Sequence, residues 1–251
     1  PQALQPERMP RFRAKILPSQ PIAPEVLQDM LEAASRASTC GNMQLYSLIV
    51  TQSRELREAL APCHFNQPMV TQAPCVITVC ADVHRFSMWC EQRDAEPCYD
   101  NFAWFLNGVT DALLAAQNLC VEAEAHGLGI CYLGTTIYTA EEIARILDLP
   151  KGVIPVTTIV VGHPDESPEL TDRLPLDAVV HCEKYHHYTS SEIDELWAEK
   201  ETSEETRRLL EENGLPNLAQ IFTRNRYRAE DNLAISRNYF ALLKKQGFFN
   251  N

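Results

Sequence analysis

Residues 24–36, PEVLQDMLEAASR, place Val26, Leu27, Met30, Leu31 and Ala34 on one side of a 3.6-residue repeat, with Pro24 at the first turn, and predict a helix. After a polar interval, Leu45, Leu48, Ile49 and Val50 form an apolar run with a β-branched finish, the pattern of a buried strand. A short helix follows in SRELREALA, then a second strand in CVITVCAD, 75–82. The stretch 84–101 has no clean period and predicts an irregular excursion suited to a lid. The longest helix, 102–127, carries Phe105, Val109, Ala112, Ala116, Leu119 and Ala123 on one stripe. Leu106, Leu113, Ala115 and Cys120 add apolar surface elsewhere on it, so little of its circumference is polar. Such a helix is central, buried by the fold or by a partner subunit, and Gly127 and Gly129 stop it.

ICYLG (130–134) predicts a third strand, TAEEIARILDLP a helix opened by a Thr139/Glu142 capping box, and PVTTIVVGHP (155–164) a further strand. The alternation of helices and strands is that of an α/β or α+β class with helices packed on a sheet. Beyond residue 185 the chain becomes charge-laced. Thr189/Glu192 and Thr202/Glu205 open two helices, Glu204 and Arg208 share a helix face, and Gly214 is the stop. The organisation expected is a core over 1–185 and a helical extension over 186–251. The extension is too polar for a core of its own and wraps the main domain or a second subunit.

Between the first helix and the first strand lie Ser38, Thr39, Cys40, Gly41, Asn42 and Gln44. A bare connection needs one turn residue, whereas this one lays out hydroxyls, a thiol and two carboxamides suited to a polar ligand. Composition narrows the ligand. A formal charge of −12 over 251 residues disfavours a protein that tracks nucleic-acid phosphates, and any anion must be held by cations gathered locally. No apolar span suffices to cross a bilayer and no secretory segment is evident, so membrane partners are not expected. The nine cysteines are odd in number and form no CxxC pair, which fits a reducing cytoplasm; Cys75, Cys80, Cys120 and Cys131 read as small core residues.

Local cations occur in RFRAK, where Arg11, Arg13 and Lys15 alternate and project from one side of an extended segment, a set suited to a phosphate monoester. A solvated arm is the ordinary alternative. Arg173 stands in a later loop. GLGICYLGTT follows a helix and enters a strand, the reverse of a dinucleotide fingerprint; its glycines suit a helix stop and a close backbone approach, where Gly134 and Thr135 offer amides to a flat ring. His181, Cys182, His186 and His187 match no common metal spacing, and Arg224, Arg226 and Arg228 sit beside acids as an exposed face. No nucleophile arrangement or metal set is evident, so no catalytic side chain is assigned, and catalysis by an organic cofactor is the expectation.

ASTCGNMQ, AAQNLCVEAEAHGLGICYLG, DLPKGVIPVTTIVVGHPDESPEL and RLP, taken in order, resemble the FMN-dependent nitroreductase family, in particular its oxygen-insensitive NADPH nitroreductase and flavin reductase branch. The similarity runs from about Arg11 to Tyr185, with a looser likeness in the helical tail. The resemblance implies an α+β sandwich with a central mixed, mostly antiparallel sheet, completed as a homodimer with FMN at the interface. It implies ping-pong hydride transfer from NADPH or NADH to a nitroaromatic, a quinone or free flavin. Lyase or dehalogenating use of the same fold, or flavin sequestration without turnover, are the alternatives.

Carried over by position, the resemblance assigns Arg11, Phe12, Arg13 and Lys15 to the N-terminal motif that grips the FMN phosphate and ribityl chain. It assigns Thr39, Cys40 and Asn42 to a loop reaching the flavin from the neighbouring subunit, and Gln67 to the polar edge of the ring. Leu133, Gly134 and Thr135 fall near the ring face, and Arg173 on the phosphate. Three positions depart from the family pattern: Arg13 replaces the usual Ser, Cys40 replaces Ser, and Thr171 stands where a Lys is common.

Overall fold

Strand β2 (Cys75–Asp82) is buried at every residue, which makes it the axis on which the rest is laid. The computed structural model describes residues 20–166 and 172–249. β2 is flanked by β1 (Tyr46–Thr51) and β4 (Val153–Gly162), and β4 in turn by β3 (Gly129–Leu133), giving the order β1-β2-β4-β3. Each pairing is antiparallel, so among the described residues the expected mixed sheet contains no parallel pair. Between Val79↔Thr157 and Cys80↔Pro155 the register slips by one residue, leaving Val156 as a bulge. Pro155 lacks an N–H for the ladder, and its carbonyl accepts the Tyr239 hydroxyl at 3.0 Å.

Alternation along the strands sorts the core into two layers. Cys75, Ile77, Val79, Ile130, Ile159 and Val161 face helices α1 (Pro24–Ser35) and α5 (Phe102–Ala125), meeting Met30, Ala34, Ala112, Ala116, Leu119 and Ala123. Val76, Val160 and Leu133 face the other way, against Ala61, Val70 and Ala73 from the segment holding α2 (Arg54–Leu60) and α3 (Pro68–Gln72). The ends of β2 and β4 are closed by a third cluster, in which Leu45, Ala81, Phe105 and Ile154 meet Leu242, Leu243 and Phe248. The α+β sandwich expected from the sequence is the fold observed.

The excursion expected over 84–101 is half helical: α4 (His84–Glu91) occupies its first part. Its apolar residues are mostly aromatic and stack locally, with Phe86, Tyr99 and Trp104 in a chain of edge-on rings 5.2 and 4.7 Å apart, which obscures the helical period. Helix α5 is buried on one side only. Phe102, Leu106, Leu113 and Leu114 are each more than 40% exposed on the opposite side. Before α6 (Ala140–Ile146), the Thr139 hydroxyl donates to the Cys63 carbonyl at 2.7 Å instead of capping, while Glu142 pairs with Arg145. The expected capping box is therefore absent because a tertiary acceptor takes the hydroxyl.

The described chain groups into two compact units, one formed by residues up to 166 and from 237 on, the other by residues 172–236. The second holds α7 (Ser190–Thr202), α8 (Glu204–Asn213), α9 (Leu218–Ile221) and the start of α10 (Ala229–Lys245). Thr189 and Glu192 form the expected capping box, and the backbone N–H of Thr189 helps hold the Glu192 carboxyl down at about 2. The next cap is Ser203, one residue after the Thr202 expected, because the Thr202 hydroxyl bonds back to the Ala198 carbonyl within α7. Gly214 ends α8 in the left-handed region, φ 61°.

Candidate functional site

The polar interval 39–45 is a built loop. Gly41, Asn42 and Gln44 all have left-handed φ (54°, 56° and 49°), a conformation that Gly and Asn tolerate and that costs Gln44 strain unless its surroundings hold it. The constraint is visible on three sides. Within the loop, the Gln44 N–H donates to Thr39 Oγ1 at 2.9 Å and the Gln44 carboxamide donates to Asn42 Oδ1 at 2.7 Å. From α5, buried Asp111 accepts the Cys40 N–H at 2.8 Å on one oxygen and the Leu45 N–H at 3.1 Å on the other. From α4, the Arg85 guanidinium donates to the carbonyls of Gln44 and Tyr46. The result presents Asn42 exposed and Thr39 and Cys40 half-buried.

A second polar centre joins two turns on the far side of the sheet. The 3-10 turn Ala61–His64 runs into Phe65 and Asn66, both left-handed (φ 54° and 53°), and delivers Gln67 as the residue capping α3. The 3-10 turn Gly134–Ile137 follows β3. His64, fully buried, bridges them: its Nδ1 lies 2.8 Å from Thr135 Oγ1. Its Nε2 is buried with no partner, and burial pushes the imidazole down to about 4. Gly134 is exposed, and a Cβ placed on it would meet nothing within 4 Å. Its φ does not demand glycine, so the missing side chain leaves an open backbone face.

Gln67, Leu133, Gly134 and Thr135 are thus gathered around one bridged pair of turns, whereas Thr39, Cys40 and Asn42 stand apart. β1 and β3 lie at opposite edges of the sheet, three strand spacings or roughly 14 Å apart. Arg11, Phe12, Arg13 and Lys15 lie outside the described residues. Arg173 belongs to the second unit, where its guanidinium donates to the Asp172 carbonyl at 2.8 Å. Among the described residues no group of His, Cys, Asp and Glu is arranged to hold a metal. His186 pairs with Glu192, and Arg228 with Glu230 and Asp231, which accounts for them as surface residues. A cleft of about 640 Å³, lined among others by Tyr138, Glu142, Arg145, Tyr239 and Lys245, contains none of the expected site residues. None of the nine cysteines forms a disulfide.

Asp111, Arg85 and His64 escaped the sequence reading. The available signal for Asp111 was a lone carboxylate in the middle of an otherwise apolar helix; Arg85 and His64 carried none, because the loop and turn atoms they hold are 39 to 71 residues away.

Comparison with known proteins identifies the family and the fold. The model of the Nitroreductase family matches residues 14–163, more than half of the chain. An FMN reductase (NADPH) of Bacillus subtilis is 32% identical over 164 residues, which span 64% of this chain and 66% of that protein, just under two thirds of its length. A crystal structure from Bacteroides fragilis, described only as an oxidoreductase, superposes with a TM-score of 0.93 at 48% identity, covering 96% of this chain and 98% of that one. The NADPH:FMN oxidoreductase of Vibrio harveyi, solved with NAD+, superposes with a TM-score of 0.78 at 25% identity over 96% of each chain. The chain that carries these two polar centres on a four-stranded antiparallel sheet belongs to the nitroreductase family.

Proposed function

We propose that this protein is an FMN-dependent oxidoreductase that takes reducing equivalents from NADPH or NADH and delivers them to a small-molecule acceptor, a nitroaromatic, a quinone or free flavin. The reading rests on family membership together with the names of two relatives, an FMN reductase (NADPH) and an NADPH:FMN oxidoreductase. Bound FMN would supply the hydride chemistry.

Two features of the chain fit such a group. The open backbone face at Gly134 leaves room for a flat ring to approach closely, and on the turn bridged to it His64 Nε2 is a buried polar atom without a protein partner, the kind of orphan a polar site carries. In this reading Gln67 meets the polar edge of the ring, and Leu133, Gly134 and Thr135 line its face. Arg11, Phe12, Arg13, Lys15 and Arg173 hold the phosphate and ribityl chain, the four basic residues supplying the local cations an acidic protein of net charge −12 requires. Thr39, Cys40 and Asn42 serve the site of a second copy. The separation of this loop from the Gly134 turn across the sheet supports that division of labour, and the uncovered Phe102, Leu106, Leu113 and Leu114 stripe supports a homodimer built on α5. No side chain need act as a general base. Cysteines without disulfides fit a reducing compartment, and we place the protein in the cytoplasm.

The test is direct. The purified protein is expected to carry or take up FMN, and its yellow colour to bleach under anaerobic conditions on addition of NADPH or NADH. A colourless protein that ignores added FMN overturns the reading, as does a flavin-loaded one that neither nicotinamide bleaches.

A further inference from the structure

Two side chains grip the 39–45 loop from outside it, Arg85 on the Gln44 carbonyl and Asp111 on backbone N–H groups, and of the two Asp111 reaches both ends. Asp111 sits on α5 with 1% of its surface exposed, and its two oxygens each receive one loop N–H, from Cys40 and from Leu45. These two residues bracket the left-handed stretch, so the carboxylate pins both ends of the strained segment and leaves Asn42 projecting between them. The helix comes near enough because of Gly108, one turn before Asp111. A Cβ at that position would stand 3.1 Å from Ala81 Cβ and 3.2 Å from the Leu45 carbonyl oxygen.

The choice of residue follows from donor and acceptor counting. Two backbone N–H groups converge on the site, and a carboxylate answers both. A carboxamide answers one and turns its own N–H toward the other, so the isosteric change costs the loop an anchor without altering its volume.

We propose that Asp111 is a positioning residue for cofactor capture: through its two backbone hydrogen bonds it holds the Thr39–Asn42 surface in the receiving conformation before the cofactor arrives. The proposal rests on the flavoprotein reading above. A preformed loop binds without the ordering cost a floppy one incurs at the moment of association.

Three chains test it: wild type, D111N, and Leu119→Ala, a large-to-small change two turns along the same buried face and away from the loop. Each apo-protein is titrated with FMN, following quenching of flavin fluorescence at a temperature where circular dichroism finds all three folded. Expected is at least a tenfold weaker FMN affinity for D111N and a change within threefold for Leu119→Ala. Amide exchange of the apo wild type supplies a readout that needs no variant, with slow exchange expected at Cys40 and Leu45 although Cys40 is only half-buried. Wild-type affinity in D111N, an equal loss in Leu119→Ala, or rapid exchange at Cys40 in the apo wild type overturns the proposal. A wild type that fails to bind FMN overturns the flavoprotein reading as well, and so is distinct from those three results.

Discussion

His64 is a residue whose protonation is bound to the fold. Its ring is fully buried, with one nitrogen on Thr135 and the other facing no partner. Whichever tautomer is present, a proton added there makes a cation with no water to solvate it, which is why its pKa falls to about 4 from an ordinary 6.5. The unfolded chain takes up this proton near 6.5 and the folded chain only near 4. Between those values the unfolded state binds more protons, so stability is full above 6.5 and declines as pH falls toward 4. The group accounts for up to about 3 kcal/mol across that window. Urea unfolding of wild type and His64→Leu at a series of pH values checks it: the slope belongs to the wild type and is expected to flatten in the variant. A wild-type stability level from pH 4.5 to 6.5 would contradict it. Cys75 shows the opposite sign of the same effect, its thiol pushed up to about 12 by burial, and it stays an inert core residue.

Among the elements, helix α5 governs both the core and the loop. Gly108 lets it lie against β2 and the entry to β1, and substitution by Ala pits two magnitudes against each other. Ala gains about 1 kcal/mol in helix propensity over Gly. Against that, a Cβ at 3.1–3.2 Å from Ala81 and a backbone oxygen forces overpacking, about 1–3 kcal/mol, and the backbone oxygen has no flexible end to withdraw. Gly108→Ala is therefore expected to lower the thermal midpoint, and a raised midpoint would show that α5 has room to shift. This helix also marks the limit of what could be read from the chain. Apolar periodicity located α1, β2 and α5, a glycine marked the end of α8, and the polar cluster at 38–44 pointed to the loop that the fold builds there. α4 was hidden because Phe86, Trp89 and Tyr99 satisfy one another rather than a helical stripe. The Thr139 cap misled because a hydroxyl can choose a distant carbonyl, and Asp111 was illegible because its role exists only once residues 71 and 66 positions away have arrived.

For the whole molecule, the proposed pairing of two chains makes a concrete demand on α5. Its exposed side carries four large apolar residues, more than a lone helix face leaves in water without use. Replacing Leu106 and Leu113 together by Asp is expected to give a monomer by sedimentation and to abolish stable flavin retention, since each site then loses the Thr39–Asn42 loop of its neighbour. Dimers that persist in this variant would assign the interface elsewhere. The first unit is also discontinuous: Leu242, Leu243 and Phe248 close a cluster with Leu45, Phe105 and Ile154, while residues 172–236 between them form the other unit. A nascent chain emerging from the ribosome must therefore wait. Its early strands stay short of a sealed interior until synthesis has passed Phe248, and the intervening helices are made while that interior is still open to chaperones.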